Sequence, residues 1–379
     1  MVASLSGSFQ PGRVVLLGSG ETSPSGRKAF EEVFKRYNHS PRVALLETPA
    51  GFELNSDRVI GRVADFLRHH LQNYQPQIEI VAARKRGTPF SPDLESIVAP
   101  LWQADVIFMG PGSPTYAVRQ LKDSLAWQVL IARHYLGADV VLASAATIAI
   151  SRFALPVYEI YKVGEELHWK DGLDFFGIYD LPIVFIPHWN NSEGGAELDT
   201  SHCFMGRKRF AELINLLPEK CMLVGIDEKT ALYMDLASMT ATVVGQGGVT
   251  VIHPGDPHEV AQGQPLADAQ LINLARGIES HVHFFRHGVT FPLDICCPFS
   301  LPQPGAGIRA PVWQKAIDWA SKPLEEPTPP AEVLERVQAR EIARQNRDWA
   351  RADSLRNEIE QLGWMVQDTK QGPQLKRKG

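Results

Sequence analysis

The first half of the chain repeats a simple pattern: a short, largely apolar run, a turn, then a longer stretch mixing apolar and polar positions. The apolar runs are Val14–Leu17, Arg42–Glu47, Ile78–Ala82, Asp105–Met109 and Asp139–Ala143. Such short runs, rich in Val, Ile and Leu, are the mark of strands covered on both faces, as in a parallel sheet. The mixed stretches Ser25–Tyr37, Asp57–Asn73 and Ala117–Leu136 have the period of amphipathic helices. Ser56-Asp57 and Ser113-Pro114 add start signals, a capping side chain and a first-turn proline. Strands alternating with helices of this length predict right-handed crossovers and a doubly wound, mostly parallel sheet.

The pattern changes after about residue 155. Runs at 157–163, 183–187, 222–226, 231–235 and 241–245 are separated by short turns and read as an antiparallel extension. Gly245-Gln-Gly-Gly248, followed by Val249–Ile252, predicts a terminal hairpin, and Ala267–Arg286 a helix. Residues 298–330 are proline-rich and read as a linker holding one short helix, Pro311–Ser321. Beyond it, Leu334, Val337, Ile342, Trp349, Leu355, Ile359 and Leu362 recur near helical spacing and predict a helical hairpin. The expected organisation is therefore an α/β domain over 1–297, a linker over 298–330 and a helical tail over 331–379.

Composition narrows the function classes. Of 379 residues, 44% are hydrophobic and 21% charged, as in soluble globular proteins, and the formal net charge of -5 argues against a whole-protein nucleic-acid field. Cys203, Cys221, Cys296 and Cys297 show no CxxC or Cys/His ligand spacing, so neither a disulfide framework nor a zinc site is expected. The pairs His69-His70 and His281/His283 have no pattern nearby that completes a metal site, and no cofactor is expected. Met1–Pro11 is polar and does not read as a signal peptide. No apolar run reaches the roughly 18 residues of a membrane span, which makes a cytoplasmic location the expectation.

In a doubly wound sheet the reactive groups gather at the carboxyl ends of the strands. Three such ends carry suggestive chemistry: Gly18-Ser-Gly-Glu21, Gly110-Pro-Gly-Ser-Pro-Thr115 and Ala143-Ser144-Ala145-Ala146. The last reads as a strand-to-helix elbow, which lifts a serine oxygen above the sheet and aims the next amide at a developing oxyanion. A base is available in His188, just past the apolar run Ile183–Ile186 and expected at the same edge of the sheet. Asp227 and Glu228 end a further run, and either carboxylate is suited to orient the histidine.

Taken in this order, the pieces resemble the serine-peptidase family of dipeptidase E and cyanophycinase, within the class I glutamine-amidotransferase-like proteins. The likeness covers about residues 12–253. It rests on the Gly18–Glu21 loop, Leu46–Ala50, Gly110–Thr115, Ser144-Ala145, Pro187-His188 and Gly225–Ala231. It implies a flavodoxin-like α/β fold, with Ser144 as nucleophile, His188 as base and Glu228 orienting that base. The amides of Gly112 and Ala145 would form the oxyanion hole. Arg207 and Arg209 would bind a substrate carboxylate, Ser113 and Asn190 are further substrate-binding candidates, and His202 is the competing base. The family elbow reads Gly-x-Ser-Ala-Gly, whereas Leu142 and Ala146 occupy the glycine positions here, a departure expected to alter the nucleophile's angle or access.

The tail resembles another family. Arg340–Arg344, Asp348–Asp353, Leu355-Arg356, Leu362-Gly363 and Val366–Pro373 are similar to the extreme C-terminus of cysteinyl-tRNA synthetases. The His-Ile-Gly-His and Lys-Met-Ser-Lys-Ser signatures of those enzymes are absent from the sequence, so aminoacylation is not expected. Lys376-Arg377-Lys378 offers a weak tRNA contact through phosphates, although the helices carry mixed charge, which favours a docking role. The leading expectation is thus a serine hydrolase that cleaves a small peptide or isopeptide amide through an acyl-enzyme. Its partners would be a small peptide or acidic amide substrate, no membrane, and a second copy if it forms a homodimer. The alternatives are an inactive ligand-binding protein on the same scaffold and an RNA-associated adaptor acting through the tail.

Overall fold

The computed structural model describes residues 10–218, 221–253, 281–293, 301–322, 329–369 and 372–377. They divide into two compact units, the larger ending at Ala320 and the smaller running from Ser321 onward.

In the larger unit, five strands are parallel: β1 (Val14–Leu17), β2 (Arg42–Leu46), β3 (Gln77–Val81), β4 (Val106–Met109) and β5 (Asp139–Ala143), in the order β1-β5-β4-β2-β3. Alternate residues feed two cores, so β1 and β4 contain no polar position, whereas β3, at the edge of the sheet, is largely exposed and carries Gln77 and Glu79. Val15, Leu17, Val43, Leu45, Phe108 and Val141 pack on α1 (Pro24–Phe34) and α2 (Ser56–His70). Leu16, Leu46, Ile107 and Leu142 face the other way. That second face is covered by α3 (Glu95–Val98), α4 (Pro114–Leu121) and α5 (Leu125–Tyr135). The stretch expected as one helix over 117–136 is two, because Asp123 turns left-handed (φ 61°) and Ser124 caps the new start by accepting from Trp127 N at 3.1 Å. After β5 the chain turns directly into α6 (Ala145–Ala149).

A small hairpin, β6 (Phe153–Ala154) with β7 (Lys170–Asp171), follows. The run 157–163, expected as a strand, is a π-helical turn at Glu159–Val163, bounded by left-handed Gly164. Next come β8 (Ile183–Ile186), α7 (Gly206–Asn215), β9 (Met222–Ile226), β10 (Thr230–Asp235), β11 (Thr240–Gly245), β12 (Gly248–His253), β13 (His281–Arg286) and β14 (Thr290–Pro292). β10, β11 and β14 extend the main sheet antiparallel beyond β1. β8 and β9, parallel to each other, join β12 and β13 in a separate sheet ordered β13-β12-β9-β8.

Two expectations change here. Gly245–Gly248 is not a hairpin turn: β11 pairs with β10 and β14, whereas β12 pairs with β9 and β13, so the glycines carry the chain from one sheet to the other. The helix expected over 267–286 lies outside the described residues as far as 280, and 281–286 form strand β13. Within the proline-rich stretch, α8 (Ala310–Ala320) lies against α5. Trp313 meets Tyr135 edge-on with ring centroids 6.1 Å apart, and Arg309 N donates to Gln128 Oε1 at 2.7 Å.

The smaller unit is a helical hairpin, α9 (Ala331–Gln345) and α10 (Trp349–Gln361), followed by the antiparallel pair β15 (Trp364–Thr369) and β16 (Gly372–Arg377). Val333, Ile359, Trp364 and Val366 form its core. Arg340 is 3% exposed and forks onto Asp368 at 3.0 and 2.9 Å. Of the apolar positions that signalled these helices, Leu355 and Ile359 are buried, whereas Leu334, Ile342 and Trp349 are exposed. Among the described residues no helix is long and apolar enough to cross a membrane.

Candidate active site

β5 delivers Ser144 at the carboxyl edge of the main sheet in a left-handed conformation, φ 51° and ψ −113°. A non-glycine residue there costs about 1–3 kcal/mol and persists only if its surroundings over-determine it. Those surroundings are the register of β5 against β1. Ser144 N donates to Leu17 O at 3.3 Å, and Thr147 Oγ1 reaches the same carbonyl at 3.2 Å. Leu142 and Ala146, where the resemblance called for glycine, are both buried in the core on the α5 side. The elbow therefore closes with these side chains in place.

His188 comes from the second sheet, not from the sheet edge that carries Ser144, because β8 pairs with β9. The two sheets are brought together by the loop after β1. His188 N donates to Gly18 O at 3.2 Å, and a Cβ on Gly18 would lie 2.1 Å from Asp227 O. Glu228 occupies the crossover from β9 to β10, hence from one sheet to the other.

These three side chains form a chain of hydrogen bonds. Ser144 Oγ lies 2.9 Å from His188 Nε2, and His188 Nδ1 lies 2.9 Å from Glu228 Oε1. An ionised carboxylate only accepts, so Nδ1 carries the proton and Nε2 is left to accept from the serine hydroxyl. The His188 bond holds the Glu228 carboxyl below the usual carboxylate range, with burial opposing and a bond from Asn191 assisting. Asn191 Nδ2 donates to the same Oε1 at 2.9 Å, and Glu228 N donates to Asn190 Oδ1 at 2.8 Å. Asp227, the alternative carboxylate, instead accepts from Gly248 N at 2.8 Å.

A pocket of about 300 Å³ opens beside Ser144, with Gly112, Ala145, Ile148, Tyr161, Lys162 and His188 among its lining. Gly112 adopts φ 143° and passes so close to Pro49 O that a Cβ would lie 2.0 Å from it. Among the described residues neither Gly112 N nor Ala145 N donates to a protein acceptor. Cys203 also lines the pocket, but burial, with the Glu228 charge second, pushes its thiol up to about 12.

Other anticipated residues are placed elsewhere. Ser113 is buried, its side chain accepting from Tyr116 N at 3.2 Å as the cap of α4. Arg209 donates to Met205 O at 2.8 Å and to Phe204 O at 3.0 Å. Arg207, Asn190 and His202 line a neighbouring pocket. His202 is 4% exposed, stacked on Phe210 with centroids 4.7 Å apart, and its Nδ1 lies 2.8 Å from Ser201 Oγ. The Ser144 hydroxyl meets His188 and not His202. Lys162, Tyr161 and the bracing of Glu228 by Asn191 were not anticipated. Lys162 was hidden in a run read as a strand, while the adjacent Asn190-Asn191 directly after His188-Trp189 was the one available signal.

An α/β sheet with a strained serine elbow and a Ser–His–Glu relay is an arrangement shared by hydrolases. The fold matches the crystal structure of a peptidase from an acI-B1 actinobacterium, with a TM-score of 0.54 and 19% identity over 75% of this chain and 98% of that one. A Listeria monocytogenes EGD-e structure, provisionally titled a peptidase E protein, aligns with a TM-score of 0.43 and 15% identity, covering 62% of this chain and all of that one (100%). The C-terminal segment, residues 327–374, matches the cysteinyl-tRNA ligase anticodon binding domain. Curated relatives of that segment are cysteine–tRNA ligases. The protein from Rubrobacter xylanophilus is 53% identical over 49 residues and that from Chlamydia abortus 50% over 48, each alignment being 13% of this chain. The chain spans about a tenth (10%) of the length of these relatives.

Proposed function

We propose that the larger unit is a serine hydrolase that cleaves an amide bond in a small peptide. Ser144 Oγ attacks the carbonyl carbon while His188 Nε2 takes its proton, and Glu228 stabilises the imidazolium that forms. The amides of Gly112 and Ala145 receive the oxyanion. His188 then protonates the leaving amine, and water, deprotonated by the same histidine, releases the acid from the acyl-enzyme. The observation that carries this reading is the unbroken relay, 2.9 Å from Ser144 to His188 and 2.9 Å from His188 to Glu228, on a serine held at φ 51°. Lys162 at the pocket suits a substrate with a carboxylate.

The test is intact-mass spectrometry after treatment with a fluorophosphonate probe. A single adduct on the wild type that is missing from Ser144→Ala is the expected result. An unmodified wild type with an intact fold would replace the hydrolase by a ligand-binding protein on the same scaffold.

A second reading applies to the smaller unit and is favoured by its match to an anticodon binding domain. On this reading the tail contacts tRNA through phosphates, so binding weakens steeply with salt. Filter binding of tRNA at two salt concentrations, with the full chain and with a chain ending at Ala320, tests it. Equal retention by both chains would exclude the tail.

A further inference from the structure

The pocket beside Ser144 is walled mainly by apolar side chains. Ile148 and Val157 line it and are buried in a core shared with β8 and α7. Tyr161 and Phe204 pack against the same core and form an aromatic wall. Their ring centroids lie 5.4 Å apart, and that of Phe204 lies 5.9 Å from the His188 ring. The wall thus runs up to the relay itself.

Local structure holds both rings of this wall. His202, Cys203 and Phe204 are left-handed in succession, φ 53°, 57° and 69°, a conformation that a bulky residue rarely adopts. Such strain persists only where the surroundings over-determine it. Here Cys203 N donates to His188 O at 3.1 Å and Phe204 N to Thr200 O at 3.0 Å, while Arg209 donates to the carbonyls of Phe204 and Met205. Arg209, which the resemblance would assign to a substrate carboxylate, is thus committed to the backbone of this turn. Tyr161 is carried by the π-helical turn Glu159–Val163, a form that recurs at functional sites. Thr115 Oγ1 donates to Glu159 Oε1 at 2.5 Å, which ties that turn to the loop of Gly112.

Fixed charge is sparse by comparison. Among the lining residues it is carried by Lys162 and Glu193, opposite in sign and both exposed. A carboxylate carried into such a pocket loses hydration and meets no buried cation among the described lining residues, whereas an apolar group gains from the transfer. We infer that the pocket selects a peptide with an apolar or aromatic residue on the carbonyl side of the scissile amide, and that Phe204 and Tyr161 set this preference. The inference rests on the hydrolase proposal for Ser144. Exposed Lys162 then serves the terminal carboxylate of the leaving residue, not a buried acidic side chain.

The experiment labels the full chain with aminoalkyl diphenyl phosphonates bearing a phenylalanine, leucine or aspartate side chain. Ser144 Oγ displaces one phenoxide from phosphorus, its proton passing to His188, and intact mass follows the adduct with time. The phenylalanine and leucine probes are expected to react at least about tenfold faster than the aspartate probe, the worth of one buried apolar side chain. Tyr161→Arg puts a cation on the same wall and should raise the aspartate rate while lowering the other two, a gain that misfolding cannot produce. Phe204→Ala should slow the phenylalanine probe more than it slows a simple fluorophosphonate. The inference is overturned if the aspartate probe reacts with the wild type as fast as the others, or if neither variant changes the order of rates. A wild type left unmodified by the fluorophosphonate fails the hydrolase proposal separately. Calorimetry with the dipeptides Phe-Ala and Asp-Ala then decides: tighter binding of Phe-Ala upholds the preference of the pocket, and equal binding overturns it.

Discussion

Glu228 is shared by more of the molecule than a third relay member needs. One oxygen receives both His188 Nδ1 and Asn191 Nδ2, and the backbone amide is held by Asn190. Asn191 is therefore a positioning residue, and Asn191→Leu is expected to slow phosphonylation of Ser144 by about tenfold, the worth of roughly one hydrogen bond. An unchanged rate in a normally folded variant would remove it from the relay. His134 shows the opposite use of a titratable group. It is fully buried against Tyr179, Nε2 to hydroxyl at 2.6 Å, and burial lowers it to about 3 from an ordinary 6.5. The unfolded chain takes up this proton near its ordinary value while the folded chain does not, so stability falls as pH drops from about 6.5 towards 3. This site contributes a slope of up to about 1.4 kcal/mol per pH unit. Urea denaturation of His134→Leu across that interval should show a shallower decline than the wild type, and equal slopes would assign the acid loss to other groups.

At the scale of elements, β1, β2, β4 and β5 were legible because they are buried almost throughout and carry a polar residue, if any, only at the first position, whereas the exposed edge strand β3 was legible from Ile78, Ile80 and Val81 around Glu79. A serine directly after such a buried run marked one candidate elbow among several strand ends, and the resemblance singled out Ser144. The partition into two sheets was not legible. β8 and β9 look like any buried strand, and only the register, with Ile186 opposite Gly225 and Leu17 opposite Ala231, assigns them to different sheets. His188 and the pair Asp227-Glu228 were picked out as candidates by their positions just past the ends of buried strands, although the sheet those strands belong to was misread, and the choice of Glu228 over Asp227 came from the family resemblance. The junction itself depends on Gly18, where Asp227 O leaves no room for a side chain. Because the obstacle is backbone, Gly18→Ala is expected to cost about 1–3 kcal/mol and to separate His188 from Ser144. Thermal melting and probe labelling should fall together. A variant that melts lower but labels at the wild-type rate would mean the relay does not rely on this contact.

For the whole molecule, the relay depends on a seam between two sheets, whereas the tail depends on a fork within one small unit. Arg340 was invisible as a core residue, because its position on α9 reads as polar while exposed Leu334 and Ile342 carry the apolar signal. The physical reason lies outside the helix. Asp368 on β15 supplies a bidentate partner, and Arg344 binds the same carboxylate at 2.8 Å, so the burial of one cation is compensated by a strand the helical period does not report. A unit this small buries little apolar surface and has a narrow margin of stability. Arg340→Ala removes the buried member and leaves Asp368 to Arg344 alone, a change expected to cost about 1–3 kcal/mol. That is enough to loosen the hairpin of α9 and α10 without touching any contact of Ser144, His188 or Glu228. Hydrogen exchange followed by mass spectrometry should show protection lost across 331–369 and kept across β1, β5 and β8, with fluorophosphonate labelling at the wild-type rate. Loss of labelling in this variant would mean that the serine site requires an ordered tail, and the two units would then have to be treated as one functional body.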